Sequence, residues 1–164
     1  MIRKARQSDC LDLAALSLQV WLFTYATKGI RPQISKYALS TFTEDHFSKL
    51  LAQDSVDIRV CEKDEHIIGF VTIDLESTFE NSAEYGYEVV TLYVSQHFQG
   101  HGVGRELLKS IESLHGKPFW LSTWVNNHKA IDFYKKLSFQ IVGELNFDLD
   151  GELYGNHVLA YTGI

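Results

Sequence analysis

Apolar positions along this chain follow two rhythms, one near a period of 3.6 residues and one of 2, and the changes between them divide its 164 residues into elements. After a short strand over 1–6, Leu11, Ala15, Leu18, Leu22 and Tyr25 recur at helical spacing and predict a first helix with those side chains turned inward. A second helical stretch is predicted over 34–53. Runs of β-branched and aromatic residues then predict strands at 56–62, 66–75 and 84–95, the first two joined by the turn-like Lys63-Asp64-Glu65. Helical spacing returns over 103–115 with Val103, Leu107, Leu108, Ile111 and Leu114. A strand at 118–125, a helix from Asn127, and strands at 143–147 and 152–162 joined by Asp148-Leu149-Asp150-Gly151 complete the order β-α-α-β-β-β-α-β-α-β-β. This alternation fits an α/β fold of three layers around a central mixed sheet.

Composition narrows the class. With 45% hydrophobic and 22% charged residues and only two prolines, the chain suits one globular domain over 1–164, without a linker or low-complexity run. Its apolar runs fall short of the roughly 20 residues of a membrane helix, and its N-terminus lacks the apolar core of a secretion signal, so a cytoplasmic location and no membrane partner are expected. Cys10 and Cys61 stand far apart, with no Cys-x-x-Cys and no His-Glu-x-x-His, so no metal site is expected and the thiols read as structural. A net charge of -6 without a basic stripe argues against a nucleic-acid partner and favours cationic ligands.

The chemistry concentrates in Val94-Ser95-Gln96-His97-Phe98-Gln99-Gly100-His101-Gly102-Val103-Gly104, a glycine-rich turn from a strand into a helix. Three glycines at alternate positions leave backbone N–H groups unshielded at a helix start, where an anion is favoured. A Walker loop would end in Gly-Lys-Ser/Thr, but Gly104 is followed by Arg105 and Glu106. A dinucleotide fingerprint needs its third glycine one residue later. Use of the same glycines for ATP thus lacks its lysine and an evident magnesium carboxylate.

What remains is Gln99-x-x-Gly102-x-Gly104, which resembles the coenzyme A loop of the GCN5-related N-acetyltransferase (GNAT) family. Asn127-His128-Lys129-Ala130-Ile131-Asp132-Phe133-Tyr134 resembles that family's Asn-x-x-Ala-x-x-Phe-Tyr segment in order and spacing. Ser138-Phe139 stands where the family commonly has Gly-Phe, which puts the cap of that helix in question because serine resists a left-handed conformation. Ile2 to Asp9 is similar to the family's first strand and turn, so the likeness covers nearly the whole chain.

The resemblance implies a mixed, mostly antiparallel sheet of about seven strands flanked by about four helices, with the fourth and fifth strands splayed. It implies acetyl-CoA as cosubstrate, without a metal, held by Leu92, Tyr93, Val94, Gln99, Gly100, His101, Gly102, Val103, Gly104, Arg105 and Asn127. The implied reaction is direct attack of a primary amine, small and cationic or on a peptide or protein, in a ternary complex. Glu88 takes the general-base position, the Leu92 N–H that of the oxyanion donor, and Tyr134 that of the general acid. Plain strand alternation puts Glu88, Val90, Leu92 and Val94 on one side, with Glu88 about 13 Å from Leu92, so Glu88 acts through water or across a bulge.

Structural alternatives stand beside these roles. Glu88 also reads as a surface glutamate, Tyr134 as a core tyrosine, and Trp21 and Tyr25 as core aromatics instead of an acceptor-pocket lining shared with Glu88. Trp120 and Trp124 read as core. The acidic run Asp74, Glu76, Glu80, Glu84 and Glu88 suggests a polyamine-like or lysine-like acceptor, or simply a solvated loop. A non-catalytic acyl-CoA-binding module is the rival function. Leu153, Tyr154, Val158, Leu159 and Tyr161 offer apolar surface for a homodimer, or else complete the core.

Overall fold

A computed structural model describes residues 1–163. In chain order the strands and helices are β1 (Ile2–Lys4), α1 (Cys10–Tyr25), α2 (Pro32–Thr41), α3 (Glu44–Leu51), β2 (Val56–Lys63), β3 (His66–Asp74), β4 (Tyr87–Val94), α4 (Val103–His115), β5 (Phe119–Trp124), α5 (His128–Lys136), β6 (Gln140–Leu149) and β7 (Glu152–Tyr161). Seven strands form one sheet in the order β1-β2-β3-β4-β5-β7-β6. Every neighbouring pair is antiparallel except β4 with β5. On one face Leu107, Leu108 and Ile111 of α4 and Tyr134 of α5 pack against Val71, Ile73, Val89 and Leu121. On the other, Leu13, Ala14 and Leu16 of α1 and Phe47 of α3 cover Ile58, Val60 and Phe70. The result is the expected three-layer α/β arrangement with a mixed, mostly antiparallel sheet.

The structure differs from the sequence pattern at several places. The stretch expected as one helix over 34–53 is two, because Phe42 and Thr43 leave helical geometry and Thr43 Oγ1 accepts the His46 N–H at 3.1 Å as the cap of α3. Five α-helices therefore flank the sheet. The buried residues of α1 are Cys10, Leu13, Ala14, Leu16, Ser17 and Trp21, whereas Leu18, Leu22 and Tyr25 are partly buried beside Trp21 and Leu11 is 62% exposed. That helix is apolar nearly all round, so spacing alone does not choose its buried side. β4 begins at Tyr87, because residues 83–85 form a tight turn and Gly86 has φ +70° with its Cα against the Pro118 carbonyl, where no side chain fits. β6 spans ten residues, well beyond the expected 143–147.

α5 ends as its sequence put in question, with Ser138 at φ +70°. Ser138 N–H donates to the Lys135 carbonyl at 3.0 Å and Phe139 N–H to that of Tyr134 at 3.1 Å, which is the Schellman pattern. Its usual apolar contact is also present, as the rings of Tyr134 and Phe139 lie 5.3 Å apart. The serine accepts left-handed strain to keep this cap.

Val158 and Leu159 are fully buried and complete the core, while Leu153 is 66% exposed. Among the described residues no helix is long and apolar enough to cross a membrane.

Candidate active site

β4 and β5 part company almost as soon as they meet. Only Tyr87 with Phe119 and Glu88 with Trp120 are paired across this parallel junction. Beyond them a cavity of about 710 Å³ opens between the strands, lined by Val89 to Val94 on one side and Leu121 to Trp124 on the other. The phase of β4 decides which backbone groups face that gap. Ser95 N–H donates to the Ile68 carbonyl at 2.9 Å, so the directly opposite pairs alternate from there, and the N–H groups of Leu92 and Val94 turn away from β3. They point to where β5 has withdrawn.

A bulge interrupts β4 at Val90, since Thr91 pairs with Thr72 and Val89 with Ile73. Leu92 and Val89 therefore share the α4 side with Val71 and Ile73, while Glu88, opposite Asp74, faces the α1 side. The plain alternation expected to align Glu88 with Leu92 and Val94 does not survive the extra residue. Glu88 Oε2 accepts the Ser77 hydroxyl at 2.6 Å, and Trp120 Nε1 reaches the Ser77 carbonyl at 3.4 Å. Burial pushes the Glu88 carboxyl above the ordinary glutamate range against that hydrogen bond. Glu88 sits at the closed apex of the gap, one residue before the cavity lining begins.

The glycine turn forms the outer end of the cavity. Gly100 and Gly102 have φ of +81° and +85°, and a Cβ at either would meet open space. Gly102 caps α4 without any side-chain bond, and the first helical bond runs from Glu106 N–H to the Gly102 carbonyl at 3.0 Å. The amides before Glu106 have no helical acceptor and remain open for an anion. Gly104 faces α5: a Cβ there would stand 3.1 Å from Phe133 Cζ. Gln99 ties the turn to both neighbours, its Nε2 donating to the Val94 carbonyl at 3.1 Å and its Oε1 accepting Lys129 Nζ at 2.7 Å. Asn127 Oδ1 caps α5 by accepting Ala130 N–H at 3.3 Å.

Tyr134 reaches the cavity from α5, 8% exposed. Burial pushes its phenol far above the ordinary tyrosine value, so the hydroxyl keeps its proton. Of the residues singled out from the sequence, Trp21, Tyr25, Leu92, Tyr93, Val94, Gln99, Gly100, Gly102, Val103, Gly104, Arg105, Asn127 and Tyr134 line the one cavity. Glu88 and His101 do not; the His101 ring turns back to the Gln99 carbonyl at 3.1 Å.

The α1 end of the cavity is aromatic. Trp21 stacks on Tyr37 with centroids 4.9 Å apart, Tyr25 on Trp124 at 5.3 Å, and Phe147 meets Tyr37 edge-on at 5.3 Å. Trp120 is core, as expected, but Trp124 is half-buried and lines the cavity. Tyr37, Phe147, Ser122 and Asn156 also line it and were not singled out from the sequence. Asn156 had a readable signal, a polar residue just before the apolar run Val158-Leu159-Ala160 on a closing strand.

Residues 21–139 match the model of the acetyltransferase (GNAT) family. Over 125 residues the chain is 30% identical to the peptidyl-lysine N-acetyltransferase YjaB of Escherichia coli, covering 75% of each chain. Over 88 residues it is 30% identical to a probable spermine N(1)-acetyltransferase of Bacillus subtilis subsp. natto, covering 50% of this chain and 58% of that one. Its fold is similar to that of PaiA N-acetyltransferase from Thermoplasma acidophilum, solved in complex with coenzyme A, with a TM-score of 0.76, 19% identity and 96% of both chains covered.

Proposed function

Because the chain belongs to the acetyltransferase (GNAT) family and is an N-acetyltransferase, we propose that it moves an acetyl group from acetyl-CoA to a primary amine by direct attack within the cavity between β4 and β5. The observation that carries this reading is the parted strand pair, with unpaired N–H groups of Leu92 and Val94 facing the gap and the glycine turn at its mouth. Those groups fit a ligand with an extended polar arm and an anionic end: the arm finds strand-like partners, and the anion finds open amides at the start of α4.

Acetyl-CoA supplies the acyl group as a thioester, whose carbonyl carbon bonds to the amine nitrogen as its bond to sulfur breaks. The amides from Gly100 to Arg105 hold the pyrophosphate, and Val94, Tyr93 and Asn127 flank the arm. Leu92 N–H donates to the carbonyl oxygen as negative charge builds on it, a preorganised donor that costs no rearrangement. Tyr134, held protonated by burial, gives its proton to the departing sulfur. Glu88 receives the amine proton through water, because it lies on the amine side of the sheet but one residue behind the lining. Trp21 and Tyr25 wall the amine end.

Thiol release from acetyl-CoA, followed across a panel of amines with mass spectrometry of the products, tests this reading. Amine-dependent thiol release matched by N-acetylated product is expected. Acetyl-CoA binding without release for any amine would contradict it.

A further inference from the structure

The amine end of the cavity has a chemistry of its own, and resting on the N-acetyltransferase reading we infer that the acceptor is an arylalkyl primary amine, its flat apolar body held between stacked rings and its nitrogen met by Asn156. Trp21, Tyr25, Tyr37, Phe42, Trp124 and Phe147 supply the walls. Trp21 with Tyr37 and Tyr25 with Trp124 already form two stacked pairs, so a further ring extends an existing stack.

Charge at this end disfavours a polyamine. Among the described residues no aspartate or glutamate lines the cavity. Burial pushes Tyr25 up to about 12, lifts Tyr37 as well, and pulls His46 down, so all three are neutral near pH 7. The cations that line it, Arg105, Lys129 and Lys136, belong to α4 and α5 at the mouth. The acidic residues Glu76, Glu80 and Glu84 are exposed on the β3–β4 connection, outside the lining. A polyamine would bring a second ammonium into this chamber where no lining carboxylate meets it, at a desolvation cost that stacked rings do not offset.

The nitrogen has one conspicuous partner. Asn156 Oδ1 is buried without a hydrogen bond, and its residue lines the cavity opposite Trp124 in the β5–β7 register. A buried acceptor of this kind is costly to leave open and is satisfied by an incoming N–H. The apolar walls favour the uncharged amine, the form that has a lone pair for attack.

Steady-state thiol release with tryptamine and phenethylamine against spermidine and a lysine peptide tests the inference on the full chain. The aryl amines are expected to exceed the others in kcat/KM by about tenfold or more. Trp124→Ala is expected to raise KM for tryptamine about fivefold while KM for acetyl-CoA stays fixed, with recovery in Trp124→Phe. If the alanine variant does not fold, Asn156→Ala is expected to raise KM for tryptamine about fivefold while KM for acetyl-CoA stays fixed, and an unchanged KM for tryptamine would overturn the inference. Faster turnover of spermidine or the lysine peptide would overturn the inference and leave the acetyltransferase reading standing. Acetylation of no amine at all would overturn both.

Discussion

Glu88 and Trp120 are the last residues paired between β4 and β5, and Val89 and Leu121, one step further along each strand, already line the cavity. The hinge of the gap and the proposed base are thus the same residue. Glu88→Gln keeps the size of the side chain and removes its proton affinity. We expect kcat/KM at pH 7 to fall by about 10- to 100-fold. The sign with pH follows from burial, which raises this carboxyl: wild-type activity climbs as pH passes through that raised value and Glu88 ionises, and the variant lacks this limb. The two profiles converge near pH 10, where free amine no longer needs a base. An unchanged pH–rate profile would remove Glu88 from the mechanism.

Tyr134→Phe separates chemistry from packing. Its ring packs against Phe139 and Phe133, contacts that phenylalanine retains. Loss of the proton donor is expected to lower kcat by about 100-fold, while calorimetry finds acetyl-CoA affinity within about twofold of wild type. Equal kcat in the two proteins would make Tyr134 a core residue only.

Two glycines with positive φ distinguish the cradle from the scaffold. Gly102 has φ +85° and Gly116 has φ +78°, and neither has an atom within 4 Å of where a Cβ would stand. By urea unfolding, alanine is expected to cost about 1–2 kcal/mol at Gly102, which is left-handed with ψ -4°, and more at Gly116, whose ψ of -159° lies in a region essentially reserved for glycine. Only Gly102→Ala, which covers the open amides of α4, is expected to weaken acetyl-CoA binding, by about tenfold. Equal affinities in the two variants would place the anion elsewhere.

Ser138→Gly relieves the left-handed strain at the end of α5 while leaving the Schellman bonds intact. The gain is partly offset by the greater freedom of glycine in the unfolded chain, so stabilisation of about 0.5–1 kcal/mol is expected from urea midpoints. A loss of stability would show that the serine hydroxyl matters more than its φ.

The cradle and the α5 segment were legible in the sequence because each is local: spaced glycines before a helical pattern, and an asparagine cap before Phe133-Tyr134. The Val90 bulge was not, since Val89-Val90-Thr91-Leu92 is β-favouring throughout and its single polar residue, Thr91, does not mark a skipped position. Thr43 was a missed signal, a capping residue followed by two acids that complement the start of α3. The aromatic chamber stayed hidden for a different reason. Trp21, Tyr37, Trp124 and Phe147 come from α1, α2, β5 and β6, and only the topology brings them together.

A crystal structure of the protein with coenzyme A would show whether the gap between β4 and β5 holds the cofactor. The pyrophosphate is expected over the amides from Gly100 to Arg105, the pantetheine arm between β4 and β5 against the Val94 and Leu92 N–H groups, and the sulfur within hydrogen-bond reach of the Tyr134 hydroxyl. Coenzyme A seated outside the β4–β5 gap, or with its sulfur turned away from Tyr134, would contradict this placement.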